Sequence, residues 1–144
     1  MRKVEAKIEI NSTLEIVLSA FTDPKKLNEW WGVERCLIQL KPQGIYSLVW
    51  KISKDGFGFI STGIIDEYIA NEKLIIKNFV YFNSEKSILG PMSFSVFVKP
   101  KGNITELHIC QDGYQKGGDW DWYYKAVREA WPKALELIKH YLEN

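Results

Sequence analysis

Residues 119–144 read DWDWYYKAVREAWPKALELIKHYLEN, and the reading of this stretch decides the fold. Val127, Trp131, Ala134, Ile138 and Tyr141 recur at steps of three and four, the spacing of one helical face. Asp119 and Asp121 stand at the start, where a helix N-terminus favours negative charge, and Lys139 and His140 stand near the end, where it favours positive charge. At 1.5 Å per residue such a helix spans roughly 35 Å, about the width of a small domain. Pro132 lies inside it, removes one hydrogen bond and predicts a kink that would let the helix follow a curved surface.

Upstream, the pattern changes to strands, and a sheet is what such a stripe buries itself against. Residues 3–10 alternate apolar and charged without error, which predicts a half-buried strand with a charged outer face. Ser12-Thr13-Leu14-Glu15 has the form of a capping box and opens a helix whose apolar face is Leu14, Val17, Leu18 and Phe21. Asp23-Pro24 opens a second short helix through Leu27 to Trp30-Trp31, and Gly32 stops it. Six further strands are predicted at 33–40, 45–52, 57–68, 73–82, 89–99 and 104–111. Turn residues separate them: Lys41-Pro42-Gln43-Gly44, Lys54-Asp55-Gly56, Ala70-Asn71-Glu72 and Lys99-Pro100-Lys101-Gly102-Asn103. A longer polar connection covers 83–87. Consecutive strands joined by short turns predict an antiparallel meander, so the class is α+β. Without repeats, low-complexity tracts or linkers, one domain over residues 1–144 is expected.

Composition narrows the function classes. Nineteen basic and eighteen acidic residues give a net charge of +1, so no global field draws nucleic acid or anionic lipid. No apolar run approaches the length needed to insert into a membrane, and the N-terminus carries no apolar signal core, so a cytoplasmic protein is expected. Cys36 and Cys110 fit that compartment as buried free thiols, although two cysteines also permit a disulfide. Aromatic residues make up 14% of the chain, enough either for a large-residue core or for an aromatic-lined cavity.

The ordered set of punctuating residues resembles the START-like (helix-grip) superfamily. More narrowly, it resembles the family named for the activator of the heat-shock-protein-90 ATPase. The resemblance runs over nearly the whole chain. It rests on the first short helix, Thr22-Asp23-Pro24 with Leu27 and Trp30-Trp31, and Thr62-Gly63 with Asp66-Glu67 ahead of Glu72-Lys73-Leu74. Thr105-Glu106-Leu107 and Trp131-Pro132 with Leu135, Leu137 and Tyr141-Leu142 complete it. Gln43-Gly44 departs from the Gly-Gly that members often carry there. The fold implied is a curved seven-stranded antiparallel sheet wrapped around the long C-terminal helix, with two short helices between strands one and two. Members of the superfamily commonly hold an apolar small molecule between sheet and helix; others are polyketide cyclase- or dehydratase-like enzymes or co-chaperone domains. Fold by itself does not choose among these.

The candidate site residues are aromatic. Trp30 and Trp31 are adjacent, so one would plug the core while the other lines a cavity mouth, unless both simply cover the sheet. Tyr46 and Trp50 share one strand face, Phe79 and Tyr81 another, and Phe94 lies on a third with Met92, Val96 and Val98. Period two fixes that sharing without saying which face points inward. Converging on the closing helix, these faces would form an apolar pocket whose Tyr hydroxyls and Trp indole groups orient a ligand's oxygen atoms. Trp122, Tyr123 and Val127 would contribute from the helix. Trp120-Asp121-Trp122-Tyr123-Tyr124 is either a bulky staple or a lid hinged on Gly113, Gly117 and Gly118.

Acid–base and metal chemistry find no team. His108 shares a strand face with Glu106 and Cys110, Asp66 and Glu67 are adjacent and point to opposite faces, and the cysteines and histidines lack chelating spacing. No catalytic residue, metal or cofactor is therefore nominated. The expected function is a binding protein for a small apolar or aromatic ligand. The alternatives are a co-chaperone-like domain acting on a heat-shock ATPase and a polyketide cyclase- or dehydratase-like enzyme. Expected partners are that ligand and a chaperone, with the chain a monomer or a homodimer and without nucleic acid.

Overall fold

The alternating N-terminal run forms β1 (Lys3–Ile10), with Val4 and Ile10 buried and Lys3, Glu5, Lys7 and Glu9 turned outward. The structure, a computed structural model, describes residues 2–144. The first helix, α1 (Leu14–Ser19), is capped one residue later than the sequence suggests. Thr13 Oγ1 accepts from the Ile16 amide at 3.2 Å. Ser12 is held outside the helix, its amide bonded to the Ile10 carbonyl at 2.9 Å and its own carbonyl accepting from Thr105 Oγ1 at 2.7 Å. In α2 (Pro24–Trp31), Asp23 Oδ1 accepts from the Lys25 amide at 2.9 Å, and Gly32 ends the helix at φ 74°, a left-handed conformation that side chains disfavour.

Six strands follow: β2 (Arg35–Ile38), β3 (Ile45–Trp50), β4 (Phe59–Ile69), β5 (Lys73–Asn83), β6 (Leu89–Lys101) and β7 (Ile104–Asp112). With β1 they form one antiparallel sheet in the order β1-β7-β6-β5-β4-β3-β2, a meander whose last strand pairs with the first. Strand β2 is half its expected length because Val33 still belongs to the helix stop, its amide bonded to the Leu27 carbonyl at 3.2 Å, and because the chain already turns at Gln39, whose carbonyl accepts from the Lys41 amide at 2.8 Å. The β6–β7 turn is only Gly102-Asn103, since Lys99, Pro100 and Lys101 continue to pair with Glu106, Thr105 and Ile104.

One irregularity matters for the site. Along β5 the inward residues run Leu74, Ile76, Phe79, so the step of two becomes a step of three. The register slips between Ile76 and Phe79, with Asn78 at φ 51°. Such a bulge re-aims every side chain beyond it. Across from it, Gly63 on β4 makes room: a Cβ there would stand 2.6 Å from Ile76 Cγ2 and 2.9 Å from the Lys77 carbonyl oxygen.

The closing helix, α3 (Asp119–Glu143), packs along β1 and touches α2, and it runs through Pro132 without interruption. Its buried residues are Tyr123, Trp131, Leu135 and Ile138. Val127, Ala134 and Tyr141 from the expected stripe are only half-buried, and for Val127 and Ala134 the reason is that they border an unfilled space. The adjoining core is aromatic: Phe94 stacks on Trp131 at 5.5 Å, and Phe21 meets Trp30 edge-on at 5.7 Å. No helix among the described residues is long and apolar enough to cross a membrane.

Candidate functional site

Between the inner face of the sheet and α3 lies a cavity of about 590 Å³. Inward residues of β3 supply Tyr46, Leu48 and Trp50; β4 supplies Phe59 and Ser61, β5 Phe79 and Tyr81, and β6 Phe94. From α3 come Trp122, Tyr123, Val127 and Trp131, together with Ala126, Ala130 and Ala134. The three alanines stand where larger side chains would fill the space. Gly32, Glu34, Lys51, Trp122 and Ala130 line the cavity and are solvent-exposed, so they mark its mouth.

Nine of the ten residues nominated from sequence lie on this wall: Trp31, Tyr46, Trp50, Phe79, Tyr81, Phe94, Trp122, Tyr123 and Val127. Trp30 does not, which corrects its nomination. It is buried beneath Trp31, the two rings stacked at 4.8 Å with 9° between planes, and its Nε1 donates to the Ala20 carbonyl at 2.8 Å. Their position at the end of α2 lets these neighbours stack rather than diverge, with Trp31 facing the cavity.

The polar tips differ from expectation in a way that bears on chemistry. Tyr46 Oη donates to the Phe21 carbonyl at 2.6 Å and Trp50 Nε1 to the Trp31 carbonyl at 3.1 Å. Both groups are thereby committed to holding α2 and its approach against β3. Burial pushes the Tyr46 phenol far above its ordinary range, so it stays neutral. Sequence reasoning passed over Gln111, which is 3% exposed and continues the inward row Leu107, Ile109 on β7. Its Nε2 donates to Tyr123 Oη at 3.0 Å. Period two from Ile109 would have found it. Ser61, opposite Tyr81 in the β4–β5 register, was missed in the same way.

The start of α3 is pinned rather than hinged. Asp119 Oδ2 accepts from the Ser87 amide at 2.7 Å and the Ser87 hydroxyl at 2.9 Å, joining the β5–β6 connection to α3. Asp121 Oδ1 accepts from Arg2 at 2.8 Å and from the Gly117 amide at 3.0 Å. Lys86 Nζ lies 4.5 Å from the Trp122 ring centre, over the mouth. These contacts favour the staple reading of the aromatic run over a free lid.

The histidine, paired-carboxylate and thiol candidates lie off the cavity wall. His108 is on the outer sheet face, 3.6 Å from Glu5 Oε2, and Asp66 and Glu67 pair with Lys77 and Lys73. Cys36 and Cys110 are free and half-buried, and burial pushes both thiols up, away from the nucleophilic thiolate. No three His, Cys, Asp or Glu side chains among the described residues cluster as a metal site.

A curved antiparallel sheet closed by a C-terminal helix over a cavity is the helix-grip architecture of START-like proteins. Within that class, residues 11–143 match the family model described as Activator of Hsp90 ATPase homolog 1-like protein, and the chain belongs to that family. No curated protein matches it. Among solved structures it is similar to the Aha1 dimer from Colwellia psychrerythraea, at 16% identity and a TM-score of 0.72, covering 99% of this chain and 97% of that one. Protein MLL2253 from Mesorhizobium loti gives 16% identity and a TM-score of 0.77, covering 98% and 96%. DynU16, from the dynemicin biosynthetic locus, gives 14% and 0.72, covering 99% of this chain but 47% of that one. At these identities the likeness is one of fold.

Proposed function

We propose that this protein binds a small apolar or aromatic molecule in the cavity between the sheet and α3. The observation that carries the reading is the cavity itself. About 590 Å³ falls inside the roughly 300–1,000 Å³ usual for small-molecule sites, and its wall is mainly aromatic and aliphatic carbon with a few polar groups. Packed interiors leave few voids larger than a water molecule, so an aromatic-lined space of this size with an open mouth supports an occupant. DynU16 comes from the dynemicin biosynthetic locus, which is compatible with this reading.

The test is native mass spectrometry of the purified chain, followed by thermal melting against lipids and aromatic metabolites. A retained molecule, or a melting temperature that climbs with ligand concentration, is expected; at a hundred times Kd the stabilisation is about 2.7 kcal/mol. A chain that retains nothing and is stabilised by nothing would remove the proposal.

A co-chaperone-like role is the second reading, favoured by membership of a family named for an ATPase activator. Its measurement is the ATPase rate of the heat-shock protein with and without this chain, and an unchanged rate would eliminate it. An enzymatic reading has less to work with. Glu34 is the carboxylate on the cavity wall, and it is exposed at the mouth, accepting from the Ile52 amide at 3.0 Å.

A further inference from the structure

The polar tips of Tyr46 and Trp50 are engaged by protein, whereas a deep pair, Gln111 and Tyr123, retains unused hydrogen-bonding capacity. Tyr123 Oη accepts from Gln111 Nε2, and among the described residues its own proton meets no protein acceptor. Gln111 Nε2 also reaches Met92 Sδ at 3.5 Å, while no protein donor among the described residues reaches Gln111 Oε1. The pair therefore offers one free donor and one free acceptor side by side. Exchanging the amide ends of Gln111 would put the free donor on Gln111 and the free acceptor on Tyr123, at the loss of the contact to Met92 Sδ. Both side chains are buried, Gln111 at 3% and Tyr123 at 6% exposure, and both line the cavity. Burial also raises the Tyr123 phenol far above its ordinary range, which keeps its proton in place near neutral pH.

The pair continues into a wider neutral patch. The Tyr81 ring stacks on Tyr123 at 4.6 Å, and Ser61, also buried on the wall, faces Tyr81 across the β4–β5 ladder. Away from this patch the wall is largely carbon. The cation lining the cavity is Lys51, and it stands at the exposed mouth. A carboxylate carried to the depth of Gln111 would lose its water without a countercharge, which is strongly unfavourable. A hydrocarbon would leave the donor and acceptor unmatched. A ring hydroxyl, which both donates and accepts, satisfies the two together.

Resting on the ligand-binding reading above, we propose that Tyr123 and Gln111 form a polar anchor that selects neutral aromatic molecules bearing a hydroxyl or carbonyl oxygen. Anionic and purely hydrocarbon ring systems are discriminated against.

Calorimetric titration of the full chain with naphthalene, 2-naphthol and 2-naphthoate separates these classes on one ring frame. Wild type is expected to bind 2-naphthol about 3–10-fold more tightly than naphthalene, the effect of one net hydrogen bond, and 2-naphthoate more weakly than 2-naphthol. Tyr123→Phe is expected to bring the naphthol-to-naphthalene ratio close to one. Gln111→Met supplies the same test should Tyr123→Phe fail to melt cooperatively. Tyr114→Phe, off the cavity wall, is the control and should keep the wild-type ratio. Naphthalene binding with no naphthol preference, a ratio untouched by both anchor variants, or naphthoate binding as tightly as naphthol overturns the anchor and leaves the cavity reading standing. Failure of all three probes to bind wild type overturns the anchor, while the cavity reading falls only if native mass spectrometry and melting against the wider lipid and metabolite set also show nothing.

Discussion

Tyr46 and Tyr114 are both buried, and their hydroxyls are in opposite circumstances. Tyr46 donates to the Phe21 carbonyl at 2.6 Å, whereas the buried Tyr114 hydroxyl has no hydrogen-bond partner among the described residues. Removing the first leaves a carbonyl unpaired; removing the second deletes an unpaired group. Tyr46→Phe should therefore lower unfolding free energy by about 1–3 kcal/mol, and Tyr114→Phe should leave it unchanged or raise it by about 1 kcal/mol. Urea denaturation of both variants checks the pair, and equal losses would contradict the assigned bonding. Trp30 and Trp31 teach a related lesson. Their types were legible as aromatic packing material, but the order of the stack depends on Ala20, ten residues upstream, offering its carbonyl to Trp30 alone.

At the scale of elements, the β5 bulge and Gly63 act together. The bulge turns Phe79 and Tyr81 to the same face as Leu74 and Ile76, and Gly63 lets the bulged backbone approach. In Gly63→Ala the new methyl would meet the Lys77 carbonyl oxygen at 2.9 Å as well as the Ile76 side chain, so backbone must move. A loss of about 1–3 kcal/mol is expected, as for overpacked positions generally. Loss of ligand-induced stabilisation should accompany it, because Phe79 and Tyr81 would be re-aimed; thermal melting with and without ligand reads both.

The contact between α3 and the β5–β6 connection carries a pH dependence. Hydrogen bonds from the Ser87 amide and hydroxyl hold the Asp119 carboxyl below its ordinary value. A depressed carboxyl contributes stability that is fully present above the unfolded value, about 3.9, and is lost as pH falls through the lower folded value. The protection of the Ser87 amide, the intrinsic exchange rate at each pH over the observed one, should fall over that acidic window. Asp119→Asn should abolish the fall, and a protection that stays constant through the window in the wild type would show that the contact does not form.

The molecule as a whole is a packed aromatic core beside an unfilled one, and α3 borders both. Trp131 stacks on Phe94 and also lines the cavity, while Ala126, Ala130 and Ala134 leave volume open. Ala130→Trp, at the exposed mouth, is thus expected to obstruct the entrance without displacing core side chains. It should change the melting temperature little and weaken ligand binding at least tenfold. A variant that binds as wild type would place the ligand elsewhere.

The order of elements, the antiparallel meander, the α2 cap and the closing helix follow from the sequence by itself, because alternation, helical spacing and turn chemistry are properties of neighbouring residues. The same local rules group Tyr46 with Trp50 and would extend Leu107 and Ile109 to Gln111. They do not carry parity across a bulge, so the shared inward face of Ile76 and Phe79 emerges only from the paired sheet. Nor do they reveal that Phe21 and Trp31 carbonyls occupy the polar tips of Tyr46 and Trp50 while Gln111 meets Tyr123. Those meetings, and the volume left empty beside three alanines, were decided by tertiary structure: they depend on which distant surfaces come together and how completely their shapes fill the space between them.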